Sequence, residues 1–141
     1  MFSVFQKLFG SKPKEEMPII IEDSAPKKDI EGAKRKVYDQ IWGVLEEEGV
    51  YLSRSGYDLY PRIKKSLRKI NEVIDNSKES LVANETELAR LKEKILDYKE
   101  ERRLSMLTYD VSELIGRSKY EDPSVLSHKA IIQILRWYDL S

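Results

Sequence analysis

Arg62, Lys64, Lys65, Arg68 and Lys69 fall within eight consecutive positions, with no acidic residue among them and none after them before Glu72. Ile63, Leu67 and Ile70 alternate with them at helical spacing, so on a helix the five charges would cover the solvent side of two turns. Such a ridge could bind phosphates of nucleic acid or of anionic lipid, although a solvated helix face has the same pattern. Shortly upstream, Glu46, Glu47 and Glu48 form a cluster of opposite sign. Three carboxylates could hold a divalent cation, but neither a histidine nor an Asx loop accompanies them. The expectation is a solvated face at a helix end, where it opposes the helix dipole.

Motifs for turnover are missing from the sequence. His128 is the sole histidine, and the residue three before it is Val125, which excludes the paired Glu-x-x-His ligands of a ferritin-like di-iron site. Nothing resembles a nucleophile elbow. The glycines at 10, 32, 43, 49, 56 and 116 fit neither a Walker A loop nor a dinucleotide fingerprint. With no cysteine, disulfides, thiolate catalysis and Cys-type zinc sites drop out together. No catalytic, cofactor-binding or metal residue is therefore assigned, and no small-molecule substrate is expected.

What remains is surfaces. All three phenylalanines lie in the first nine residues, and Phe2, Val4, Phe5, Leu8 and Phe9 share one face of a helix that Gly10 would end. A short helix of this kind can lie in a membrane interface or dock in a groove of a partner. It resembles the N-terminal membrane-targeting helices of some peripheral bacterial proteins, among them certain cell-division factors. Residues 1–28 carry five lysines against four acids, so electrostatic help at a lipid surface is slight. A second contact surface is expected where Tyr51, Arg54, Tyr57 and Tyr60 crowd a helix junction, because Tyr and Arg are enriched at binding hot spots. Those tyrosines could equally plug the end of a bundle.

These candidates are positioned by a chain that reads as helical almost throughout. From 60 to 98 the apolar residues Tyr60, Ile63, Leu67, Ile70, Ile74, Leu81, Leu88, Leu91, Ile95 and Tyr98 keep a heptad seam in which only Ser77 and Asn84 break the pattern. A continuous helix from 60 to 107 would run about 70 Å and would need a second chain to bury its seam. A bend near 76–80 would make a helical hairpin, with Ser80 or Asn84 capping the second limb and Glu87 completing a capping box. Facing Lys94 and Lys99 would repel in a parallel zipper, so antiparallel packing is expected.

Asp29 and Gly49 bracket a first helix, Pro61 suits the first turn of the next, and Asp122 with Pro123 opens a final, mostly apolar helix. Between 49 and 61 the spacing allows a small hairpin or an ordered loop. Residues 11–28, with three prolines and mixed charges, read as a flexible linker. Inside it, Ile19, Ile20 and Ile21 precede Glu22 and Asp23. This looks like the short hydrophobic-then-acidic docking motifs of which SUMO-interacting motifs are one kind, and it reads equally as a strap across the protein's own helices.

The fold class expected is all-α: an antiparallel helical bundle over 29–141, preceded by an amphipathic segment at 1–10 and a linker at 11–28. It has four helices if the seam bends, and otherwise one long coiled-coil helix with shorter helices packed on it. Charge is balanced, with 25 basic and 25 acidic residues, so no global field favours polyanions. Three Gln and three Asn beside abundant Lys, Arg and Glu lean toward a thermophilic source. No apolar run reaches the roughly 20 residues of a bilayer span, and no secretory signal is read at the N-terminus, so the location expected is cytoplasmic or peripheral at a membrane. The function expected is a non-enzymatic interaction or scaffold protein that docks to a protein partner, a second copy or a membrane surface. The alternative is a nucleic-acid-binding helical protein using residues 62–69.

Overall fold

The computed structural model describes residues 28–52, 56–118 and 120–141. Among them every regular element is helical: α1 (Ile30–Glu47), α2 (Gly56–Ser77), α3 (Glu85–Tyr98), α4 (Glu101–Arg117) and α5 (Pro123–Trp137). Short 3-10 turns at Val50–Leu52 and Lys78–Ser80 link the first three. The amphipathic segment at 1–10 and the linker to 27 lie outside the described residues.

The long seam breaks, and it breaks where its apolar pattern lapses. α2 ends at Ser77, and α3 opens after Asn84, whose Oδ1 accepts from Glu87 N at 2.9 Å. The Glu87 carboxylate turns back to take the Ala83 N–H at 2.8 Å, one residue before the cap rather than the cap's own N–H as in the expected capping box. At the other side of the joint, Lys78 Nζ donates to the Asp75 carbonyl and Lys28 Nζ to those of Glu79 and Val82. Carbonyls that lose their helical partners at the bend thus find ammonium donors.

Two boundaries differ from the sequence expectation. A second break falls at 99–100, which splits the limb after the bend into α3 and α4 and makes five helices instead of four. Glu100 is extended there and makes no side-chain cap, so no local signal marks the site. The cause is the change of apolar face: after Ile95 the buried residues move to Leu104, Leu107, Val111 and Ile115, which one straight helix cannot aim at the same core. Likewise α2 begins at Gly56, not near Pro61, and residues 50–52 form a 3-10 turn rather than a strand of a hairpin. Pro61 sits exposed in the second turn of α2, and the backbone bond its missing N–H would have made to Tyr57 is the cost.

α2 is the spine. It packs against α1, α3 and α4, while α5 closes over α1 and α4. Ile63, Leu67, Ile70 and Ile74 of α2 are fully buried, in one core cluster with Val37, Ile41 and Leu45 of α1, Leu107 and Val111 of α4, and Ala130, Ile131 and Ile134 of α5. Burial of each such side chain stabilises by about 1.5–3 kcal/mol before chain entropy is counted. The seam that could have recruited a second helix is thus filled from within the chain along α2.

Past α5 the chain reverses in a Schellman motif. Leu140 N donates to Leu135 O at 2.8 Å and Asp139 N to Arg136 O at 3.0 Å, with Asp139 left-handed at φ 59°. The motif turns Tyr138 and Leu140 into the core.

Candidate interaction surfaces

The basic ridge and the acidic cluster turn out to be two halves of one junction. α1 and α2 are joined so closely that Glu47 and Glu48 lie across from Lys65 and Lys69 in the middle of α2. Arg62 Nη1 donates to the Gly49 carbonyl at 2.8 Å and lies 3.4 Å from that of Glu48, capping the C-terminus of α1. Gly49 is left-handed at φ 68°, as a helix-ending glycine often is, and a Cβ there would run into that guanidinium. Lys69 Nζ lies 2.6 Å from one Glu48 oxygen, and Lys65 Nζ 3.7 Å from the other. Two of the carboxylates that oppose the α1 dipole, Glu47 and Glu48, are held by cations of α2.

Every member of the ridge has a carboxylate neighbour. Arg62 meets Asp58 at 3.1 Å, Lys69 reaches Glu47 at 3.6 Å as well as Glu48, and Lys64 and Arg68 converge on Glu101 at the start of α4. Five cations thus share four carboxylates. The electrostatics follow. The hydrogen bond from Lys69, helped by Lys65, holds the Glu48 carboxyl below its ordinary range, and its side chain is only 10% exposed. Lys64, then Arg68, does the same for Glu101, and the Glu48 bond raises Lys69.

The tyrosine cluster is dispersed rather than gathered. Tyr51 turns inward and packs on the core; burial pushes its phenol up, and the neighbouring Ser127 hydroxyl works the other way. The Tyr60 hydroxyl lies 3.5 Å from the Ser105 carbonyl of α4. Tyr57 alone of the three stands out, 95% exposed, and Leu52 on the other flank of the corner is 75% exposed. Arg54 and the docking residues Phe2, Val4, Phe5, Leu8 and Phe9 lie outside the described residues.

Other apolar side chains left outside the core were not singled out by the sequence. Met106 and Tyr109, three apart on α4, share its outer face, and Tyr109 with Leu114 lines an open groove that Lys129 and Gln133 of α5 complete. Leu96, Tyr120 and Val125 are exposed as well. At the opposite edge of α5, the His128 Nδ1 and the Tyr38 hydroxyl are 2.8 Å apart, and the Tyr38 ring is followed by that of Trp42 at 6.1 Å. The 3.6-residue period places Tyr38 beside Trp42, but nothing local could have brought His128 to them.

Among the described residues no group of three His, Cys, Asp or Glu side chains is placed to hold a metal ion, and no helix is long and apolar enough to cross a membrane. No protein-family model matches the chain, and no curated protein or solved structure matches it.

Proposed function

We propose that this is a non-enzymatic interaction or scaffold protein, cytoplasmic or peripheral at a membrane, in which an antiparallel helical bundle carries a tethered, Phe-rich segment that docks to a protein partner or a membrane surface. Phe2, Val4, Phe5, Leu8 and Phe9 enter the acyl boundary or a groove of a protein partner. The corner at Leu52 and Tyr57 and the outer face of α4 give further contact area. The observation that carries the reading is the set of large apolar side chains left exposed after the helices pack, Tyr57 and Leu52 foremost. The nucleic-acid alternative loses its main support, because the cations of residues 62–69 already share carboxylates and the ridge offers little net charge to a phosphate backbone.

Co-sedimentation with vesicles of mixed anionic and zwitterionic phospholipid tests the membrane version. The full chain should pellet with the vesicles, and the full-length Phe2→Ser/Phe5→Ser/Phe9→Ser variant should stay in the supernatant; equal pelleting of both would sink it. Fluorescence anisotropy with duplex DNA tests the alternative: salt-steep binding lost on changing Arg62, Lys65 and Lys69 to Glu would restore it.

A further inference from the structure

α4 buries one side and leaves a second stripe of side chains facing solvent. Leu104, Leu107, Val111 and Ile115 are in the core, whereas Arg102, Met106, Tyr109 and Glu113 run along the outer face, the middle two 52% and 58% exposed. These four are spaced four, three and four residues apart, which is the repeat of a helix-pairing seam. The ends of the stripe differ in sign. Among the described residues, Arg102 has no carboxylate within ion-pair distance, and Asp110, next to Tyr109, has no cation. Glu113 is engaged within its own helix, with Arg117 at 2.8 Å, in an exposed pair of the kind that holds little energy.

Reversing the helix direction turns this stripe into its own complement. About a two-fold axis between positions 107 and 108, Met106 of one copy meets Tyr109 of the other, and Arg102 meets Glu113 with Asp110 at its side. A same-direction pairing would set Arg102 on Arg102 and the acids on the acids. We propose that the outer face of α4 pairs antiparallel with that of a second copy of this chain, with Met106 and Tyr109 at the centre and the Arg102 and Glu113 side chains closing both ends. Charge complementarity selects the occupant: a surface with its cation and its acids on opposite sides of an apolar centre fits itself. Contact along three turns of one helix is small for a protein interface, so the dimer belongs to the weak, reversible class. Two copies also bring two Phe-rich segments to one surface, and a short lipid-binding helix that is marginal alone holds better as a pair. This consequence rests on the function proposed above, whereas the α4 pairing does not.

Sedimentation velocity of the full-length chain from about 1 μM to about 1 mM reads the association. Wild type should dimerise within that range. Arg102→Glu should weaken the dimer by about tenfold or more, and so should Asp110→Arg/Glu113→Arg, because each sets like charges across the two-fold axis. Met106→Ser/Tyr109→Ser should weaken it as well by removing the apolar centre. An equimolar mixture of the Arg102→Glu chain with the Asp110→Arg/Glu113→Arg chain should associate as wild type does, since each supplies the sign that the other lacks. A purely structural role of these residues would not produce that recovery. Wild type that stays monomeric to about 1 mM, variants that associate unchanged, or a mixture that does not recover would overturn the pairing. The Phe2→Ser/Phe5→Ser/Phe9→Ser chain should dimerise like wild type, and loss of association there would assign the contact to the N-terminal segment and overturn it too. Vesicle binding plays no part in the readout, so failure of membrane docking and failure of the dimer are told apart.

Discussion

The hydroxyl of Tyr138 donates to Asn71 Oδ1 at 2.9 Å, joining the residue after α5 to the middle of α2 inside the core. Burial raises the Tyr138 phenol far above its ordinary pKa, so it remains a neutral donor across the accessible pH range. Tyr138→Phe leaves a buried amide oxygen without this donor and should cost about 1–3 kcal/mol in urea denaturation. Adding Asn71→Leu removes the stranded acceptor as well and should recover part of that loss. If the double variant is as unstable as the sum of the singles, the bond is not what links these residues.

The Glu48 junction gives stability a sign against pH. Its folded pKa is lowered, so the unfolded chain binds the proton more readily, and the contribution is complete above the ordinary glutamate value of about 4.3 and lost as pH falls through the lower folded value. Glu101 works in the same direction. The melting temperature of wild type should therefore drop in acid, and Glu48→Gln should melt lower at neutral pH while showing a shallower acid limb. Parallel acid limbs would contradict the assignment.

Two glycines in one helix hairpin should respond oppositely to alanine. At Gly49 the left-handed φ of 68° costs an L-residue about 1–2 kcal/mol, and the Arg62 guanidinium occupies the space of the new methyl. At Gly43, exposed within α1, a Cβ meets nothing within 4 Å, and Gly43→Ala should stabilise by about 0.5–1 kcal/mol. Thermal denaturation of the two variants checks both signs at once.

The joint between α2 and α3 should depend on its cap. Asn84→Ala removes the acceptor of the Glu87 N–H and should cost about 1 kcal/mol. Hydrogen exchange should then speed up at the first turn of α3 and leave α5 untouched. Uniform acceleration through both helices would mean that the cap serves the whole fold rather than the joint.

How much of this was legible can be said residue by residue. Asp29, Asn84 and Asp122 were readable as helix starts, since a cap is a bond between a side chain and an amide two or three residues away, and α1, α3 and α5 use those caps; Gly49 was readable as a helix end because glycine accepts the left-handed φ it adopts there. The apolar spacing of Ile63, Leu67, Ile70 and Ile74 likewise marked a buried face, and the lapse at Ser77 and Asn84 marked where a bend could fall, with one continuous helix as the other reading. The start of α2 was misplaced because Pro61 was taken as the mark of a first turn, whereas the earlier signal is Ser55 followed three residues later by Asp58, the acid of the first turn of α2.

Composition and periodicity determined the helical class, the principal buried stripes and the one place where the long seam could bend, because these follow from bonds and contacts within one or two turns; that it does bend there is decided by the fold. Only the tertiary structure decided the split at 99–100, the turning of Tyr138 to Asn71 and the marriage of Glu48 to Lys65 and Lys69. Each depends on which helix faces which, and a charge read along one helix cannot reveal the carboxylate that another helix brings to it.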